Sequence, residues 1–185
     1  MHAMKPFRRA FAVALLAALL APAGAFAADR SALESEARSA LQKLTSTLPA
    51  ARSLAGGAVA VLVFPKITKA GLVVGGQYGD GVLFKGGKVV GYYNTAGASF
   101  GLQAGAQTFG YALFFMNDNA LAQLGANEGF EVGVGPSVVV LDQGMAKSAT
   151  TTTMKDDIYA FIFRQQGLMA GVGVQGNKIT KINPK

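Results

Sequence analysis

Leu33, Ala37, Ala40, Leu41, Leu44 and Leu48 recur three or four positions apart, the spacing of one face of a helix. Residues 29–48 are therefore predicted to be helical. Ser31 and Glu34 are placed as a capping box, and Pro49 marks the end. Arg30, Glu34 and Arg38 stand four apart, a spacing that lets charges pair along the helix surface. A short second helix reaches Leu54, ahead of Gly56-Gly57. From Ala58 the period changes. Residues 58–64 are wholly apolar, as a buried strand is, and 65–70 reads as a basic connection carrying Lys66 and Lys69. Strands at 72–78 and 82–85 flank Gly79-Asp80-Gly81, a turn or bulge. Gly86-Gly87 then closes a tight hairpin onto 88–93, because glycine tolerates positive φ.

Further on, Phe100, Leu102, Ala104 and Ala106 alternate with Gly101, Gln103, Gly105 and Gln107, a period of two. Residues 109–116 form another apolar strand. Asn117 caps a short helix over 117–124, which Gly125 stops. Phe130, Val132 and Val134 alternate, 137–141 continues in the same manner, and 142–157 is a polar loop. Residues 158–163, 168–175 and 178–182 read as a closing three-stranded meander. Gly71-Leu72-x-x-Gly75 recurs as Gly101-Leu102-x-x-Gly105 and Gly167-Leu168-x-x-Gly171. In a strand this places both glycines on one face, where another backbone can approach closely. The expected fold is α+β: a curled, mostly antiparallel, glycine-rich β-sheet tending to a barrel, with an N-terminal helix and the short helix near 117–124.

The first 27 residues carry a different signal. Lys5, Arg8 and Arg9 precede an apolar run over 10–20, and Ala25-Phe26-Ala27 offers small residues for cleavage, the pattern of a secretory signal peptide. The expected organisation is a signal peptide over 1–27 and one domain over 28–185, located in the periplasm or secreted. Cleavage would lower the formal charge of +7 by the three units on Lys5, Arg8 and Arg9 and remove the single His; Cys is absent throughout. The mature chain would thus lack thiolate and imidazole metal ligands and the Ser-His or Cys-His nucleophile pairs. No cofactor, no metal and no catalytic residue is expected.

Other motifs point no further. Gly171-x-Gly173-x-x-Gly176 matches a dinucleotide fingerprint as a string, yet only nine residues follow it, and they read as a strand rather than the helix that fingerprint requires. Glu128 with Glu131, and Asp156 with Asp157, read as solvated surface rather than a glycosidase pair. Basic residues gather at both ends of the mature chain and acidic ones in its middle, with no basic–aromatic interleaving, so a nucleic-acid partner is not expected.

One set of blocks carries a resemblance. Phe64-Pro65-Lys66-x-x-Lys69-Ala70-Gly71, Gly75-Gly76-x-Tyr78-Gly79-x-Gly81-Val82-Leu83, Gly101-Leu102-Gln103-x-Gly105-x-Gln107, Gln166-Gly167-Leu168-Met169-Ala170-Gly171 and Gly176-x-Lys178-Ile179 together resemble the SYLF domain family. The resemblance runs from about residue 33 to 182. It implies a lipid-binding module, a class whose eukaryotic members recognise phosphoinositides and whose fungal members also bind actin. By the same resemblance the lipid contacts map to the N-terminal helix, with Arg38 and Lys43, and to the basic block, with Lys66 and Lys69; Lys178 and Lys181 are added from the basic C-terminal stretch. The expected partner is an anionic phospholipid membrane surface, and the expected protein is an exported, non-enzymatic, peripheral lipid binder. The alternative is a structural or interaction protein of the cell envelope.

Overall fold

The computed structural model describes residues 30–71, 74–100, 105–125, 129–132, 138–141, 156–167 and 176–184. Helices α1 (Arg30–Thr47) and α2 (Pro49–Gly57) precede strands β1 (Ala60–Gly71), β2 (Val74–Lys85), β3 (Lys88–Phe100) and β4 (Gly105–Phe115). Helix α3 (Asp118–Ala122) and a 3-10 turn follow, then β5 (Phe130–Glu131), β6 (Val138–Leu141), β7 (Ile158–Gly167) and β8 (Lys178–Ile182). All eight strands join one sheet in the order β5-β8-β3-β2-β1-β4-β7-β6, curled into a half-barrel. Every pairing is antiparallel except β6 with β7.

The alternation of apolar side chains along these strands builds a core on each face. On one, Leu33, Ala37, Ala40 and Leu44 of α1, with Leu54 of α2, pack over Val63, Val82, Phe84, Phe114 and Phe161. On the other, Leu62, Phe64, Tyr111 and Leu113 are covered by Leu124, Phe130 and Val132. The helix period therefore predicts the docked face of α1 correctly, with one adjustment. Leu41 is only half-buried, whereas Leu44 is 4% exposed. Leu44→Ala is expected to cost about 2–5 kcal/mol and Leu41→Ala about 1 kcal/mol, read as midpoint shifts in urea unfolding at unchanged slope.

Several local expectations hold. Gly86 and Gly87 turn the β2–β3 hairpin with φ of 57° and 75°. Asn117 caps α3, its side-chain oxygen accepting from the Ala120 amide at 2.8 Å. Others are corrected. Gly79-Asp80-Gly81 is not a turn: β2 runs through it, paired residue for residue with Thr95, Asn94 and Tyr93 of β3, although on the β1 side it lies opposite the register shift between Val63 and Thr68, as the bulge alternative expected. Both glycines are there because β1 crosses too closely for a side chain. Residues 65–70 are strand, part of β1, not a connection. The closing meander is also replaced. β7 pairs with β4, while β8 lies across the sheet against β3 and β5; the expected middle strand, 168–175, and most of the expected loop over 142–157 lie outside the described residues.

The segment of β1 near Pro65 sets the position of the basic block. Its register slips against β4 between Phe64 and Ile67, and against β2 between Val63 and Thr68. Pro65 has no amide hydrogen to give a ladder, and a bulge is where a strand accommodates it. The slip changes the parity of the strand. Phe64, Ile67 and Lys69 are buried, while Lys66, Thr68 and Ala70 are exposed.

Candidate functional site

α1 lies on the sheet with two different flanks. The flank facing the β2–β3 hairpin carries Arg30, Glu34 and Arg38, which do not pair with one another in the way their spacing suggests. Instead Glu34 accepts a hydrogen bond from the Tyr92 hydroxyl, and the Arg30 guanidinium lies 5.5 Å from the Tyr92 ring centre while donating to the Pro184 carbonyl. Arg38 donates to the Gly87 carbonyl at 3.0 Å and sits 5.0 Å from the centre of the Phe84 ring, a cation–π arrangement. The stripe therefore clamps the helix to the hairpin. The hydrogen bond to Glu34, with desolvation and the Glu34 charge, raises the pKa of the Tyr92 hydroxyl above its ordinary value, opposed by Arg30.

Beside Arg38, a groove of about 670 Å³ opens between the α1–α2 elbow and the start of the sheet, walled by Leu41, Ala55, Ala58, Val59 and Phe84. It has an apolar wall and one cation at its rim. The elbow is braced by Arg52, which donates to the Thr45 carbonyl at 3.1 Å and the Ser46 carbonyl at 3.2 Å, satisfying carbonyls that the end of a helix leaves without partners.

The opposite flank of α1 faces β4 and β7 and is basic. Lys66 and Arg164 line a cleft of about 420 Å³ with Glu36, Thr108 and Gln166. Arg164 also borders the neighbouring crevice lined by Lys43, so it links the cleft of Lys66 to that of Lys43, and the three residues are called the strip below. Arg164 did not stand out in the sequence as a site residue. It is the one described non-glycine residue with positive φ, 52°, at the register slip between β4 and β7. Such a conformation is uncommon outside glycine, and no turn motif announces it.

Of the six residues singled out in the sequence, Lys43 and Lys66 line two clefts that share Arg164, and Arg38 lies on the other flank of the same helix. Lys69 leaves the group altogether. The β1 bulge turns it to the face opposite α1, where it is 7% exposed. Lys178 and Lys181 are exposed on β8, three places from β1 in the sheet order, with Lys178 opposite Glu131 in the ladder. The expected single patch over all six residues is therefore corrected to a strip of two of them plus Arg164. The two paired-carboxylate candidates are partly accounted for by local structure: Asp157 accepts from Asn117 at 2.8 Å, and the Asp156 amide donates to the Tyr159 hydroxyl at 2.8 Å. Glu131 is exposed, and Glu128 lies outside the described residues.

Residues 96–184 match the family model Ysc84, described as Las17-binding protein actin regulator. The match is consistent with a protein of the SYLF family. The match begins within β3 and takes in β4 to β8, so Arg164, Lys178 and Lys181 fall inside it, while α1, α2 and Lys66 precede it. A comparison with curated proteins gives no match. Among the described residues, no helix of the protein is long and apolar enough to cross a membrane.

Proposed function

We propose that the protein is an exported, non-enzymatic, peripheral lipid-binding protein, located in the periplasm or secreted, and that it meets anionic phospholipid headgroups with the strip of Lys43, Arg164 and Lys66. The observation that carries this reading is that Arg164 borders both the crevice lined by Lys43 and the cleft lined by Lys66, with Glu36 as the acidic residue of the second. The groove under Arg38, across the same helix, has the composition to take an acyl chain, apolar within and cationic at the rim. The match to the family model supports a lipid or actin-regulator role at the level of the family.

Each cation close to an anionic surface contributes about 1 kcal/mol, and the attraction decays over about one Debye length. Three cations give about 3 kcal/mol, which corresponds to reversible attachment. Lys43→Glu combined with Lys66→Glu reverses the charge at two exposed positions without touching the core. The double variant is expected to sediment with anionic vesicles no more than with neutral ones, while its urea midpoint stays within experimental error of wild type. Retained binding by a folded double variant would remove the strip from the account. It would favour the other reading, a structural or interaction protein of the cell envelope.

A further inference from the structure

The face of the sheet that carries α1 is only partly covered by it. Val63 and Val82 lie beneath the helices, and Tyr92, the ladder partner of Val82, is capped by Glu34 and Arg30 at the start of α1. Alternate residues of a strand share a face. Beyond Tyr92 this face therefore continues through Asn94 and Ala96 of β3, whose ladder partners on β2 are Asp80 and Tyr78. The row of Tyr78 then runs across the sheet. Lys178 of β8, Ala96, Tyr78, Thr68 of β1, Thr108 of β4 and Gln166 of β7 are successive ladder partners. All are exposed except Thr108, which is half-buried, and Thr180, opposite Asn94, is exposed as well. Six adjacent strands, about 4.8 Å apart, give the row a reach of about 24 Å.

Tyr78 is 51% exposed, one of two large apolar side chains so exposed among the described residues. Its neighbours on this face are small, Gly76 along β2 and Ala96 beside it on β3, so the ring stands next to a low floor. Desolvation raises the pKa of its hydroxyl, and the charge of Asp80 and a hydrogen bond to Asp80 add to this. Asp80 also accepts from Asn94 Nδ2 at 2.9 Å, and the same amide donates to the Gly79 carbonyl at 3.0 Å. Ring, carboxylate and amide thus form one hydrogen-bonded unit. An ionised carboxylate has about four acceptor positions, so Asp80 has capacity for further donors.

Charge decides which ligand suits this surface. The partners of Asp80, Tyr78 and Asn94, are neutral, so a phosphate or carboxylate placed here would meet a negative charge. Lys178 stands only at the β8 edge, itself opposite Glu131 in the ladder. An ammonium would suit Asp80 but leave the rest of the row unused. That rest is the hydroxyls of Thr68, Thr108 and Thr180 with the amides of Asn94 and Gln166, groups that exchange hydrogen bonds with neutral hydroxyls. The face of an aromatic ring is negative, and the C–H groups on the face of a sugar ring present weakly positive hydrogens to it.

We propose that this row is a binding site for a neutral glycan lying across the strands, separate from the strip and the groove. Tyr78 stacks on one sugar ring, Asp80 accepts from its hydroxyls, and the threonines and amides on either side hold the neighbouring sugars.

The test is NMR of the 15N-labelled protein without its first 27 residues, titrated with cellotetraose and with chitotetraose, two extended tetrasaccharides that differ by the acetamido groups, and in parallel with phosphatidylglycerol vesicles. Saturable shifts of the Asn94 side-chain amide and of the backbone amides of 76–80 and 94–96 are expected with at least one tetrasaccharide; a response to chitotetraose alone assigns recognition to the acetamido group. Tyr78→Ala, at an exposed position, is expected to weaken that binding by at least about tenfold with the urea midpoint unchanged. Lys43→Glu with Lys66→Glu should leave it unaltered, which separates this site from the lipid-facing strip. The proposal is overturned if neither tetrasaccharide shifts those signals, if the vesicles shift them where the tetrasaccharides do not, or if folded Tyr78→Ala binds as wild type does.

Discussion

Phe64→Ala is expected to lower the stability of the protein by about 3–5 kcal/mol, the range for truncating a fully buried aromatic residue. Phe64 has no exposed surface, and its ring centre lies 4.7 Å from that of Tyr111. It also covers Gly81, where a Cβ would come within 2.6 Å of the Phe64 ring. Truncation would leave a void bordered by Gly81, which has no side chain to fill it. The residue immediately precedes the slip of β1 against β4, which decides that Lys69 rather than Lys66 shares the buried face of Phe64. Chemical unfolding followed by circular dichroism would measure the loss, and a cost below about 1 kcal/mol would contradict the packing described.

Gly79→Ala should be nearly as damaging, by a different route. An added methyl would lie 2.5 Å from the carbonyl oxygen of Lys66 and 3.1 Å from Ile67 Cα. Backbone atoms cannot turn aside as a side chain can, so the strands must separate beside the bulge. Overpacking of a core ordinarily costs about 1–3 kcal/mol, and the backbone contact places this substitution at the upper end. Gly76→Ala is the matched control. It lies three residues away on the same strand, is exposed, and its nearest neighbour would be the Gly97 carbonyl oxygen at 3.8 Å. Its effect should stay within about 0.5 kcal/mol. Equal effects at the two positions would mean that β1 does not cross where it is placed.

These two residues also mark where the sequence stops being informative. Local periodicity and capping were legible: the apolar stripe of α1, the Gly86-Gly87 turn and the Asn117 cap each depend on residues within a few positions. The Gly79-Asp80-Gly81 segment misled because glycine marks turns and close approaches alike. Only the neighbouring strand, which the local sequence does not name, decides between them. The same applies to Lys66 and Lys69. Their spacing suggests one basic block, but strand alternation combined with the slip at Pro65 sends one to solvent and the other to the interior. Arg164 was invisible as a site residue because its partner in the cleft is nearly a hundred positions away, on a strand that touches β1 only through β4. The separation of β7 from β8 was hidden for a related reason: proximity in sequence suggested a meander, while the ladder places them on opposite sides of β1.

The central claim is attachment to anionic lipid through exposed cations, and salt tests it most directly. Co-sedimentation of the protein without its first 27 residues should be followed with phosphatidylglycerol-containing vesicles, at low and at physiological ionic strength, with phosphatidylcholine vesicles as reference. The account predicts clear binding to the anionic vesicles at low salt, a steep fall as the Debye length shrinks from about 30 Å to about 8 Å, and little binding to the neutral vesicles at either. Absence of binding to anionic vesicles at low salt, or binding that is equal for the two lipids and indifferent to salt, would contradict it.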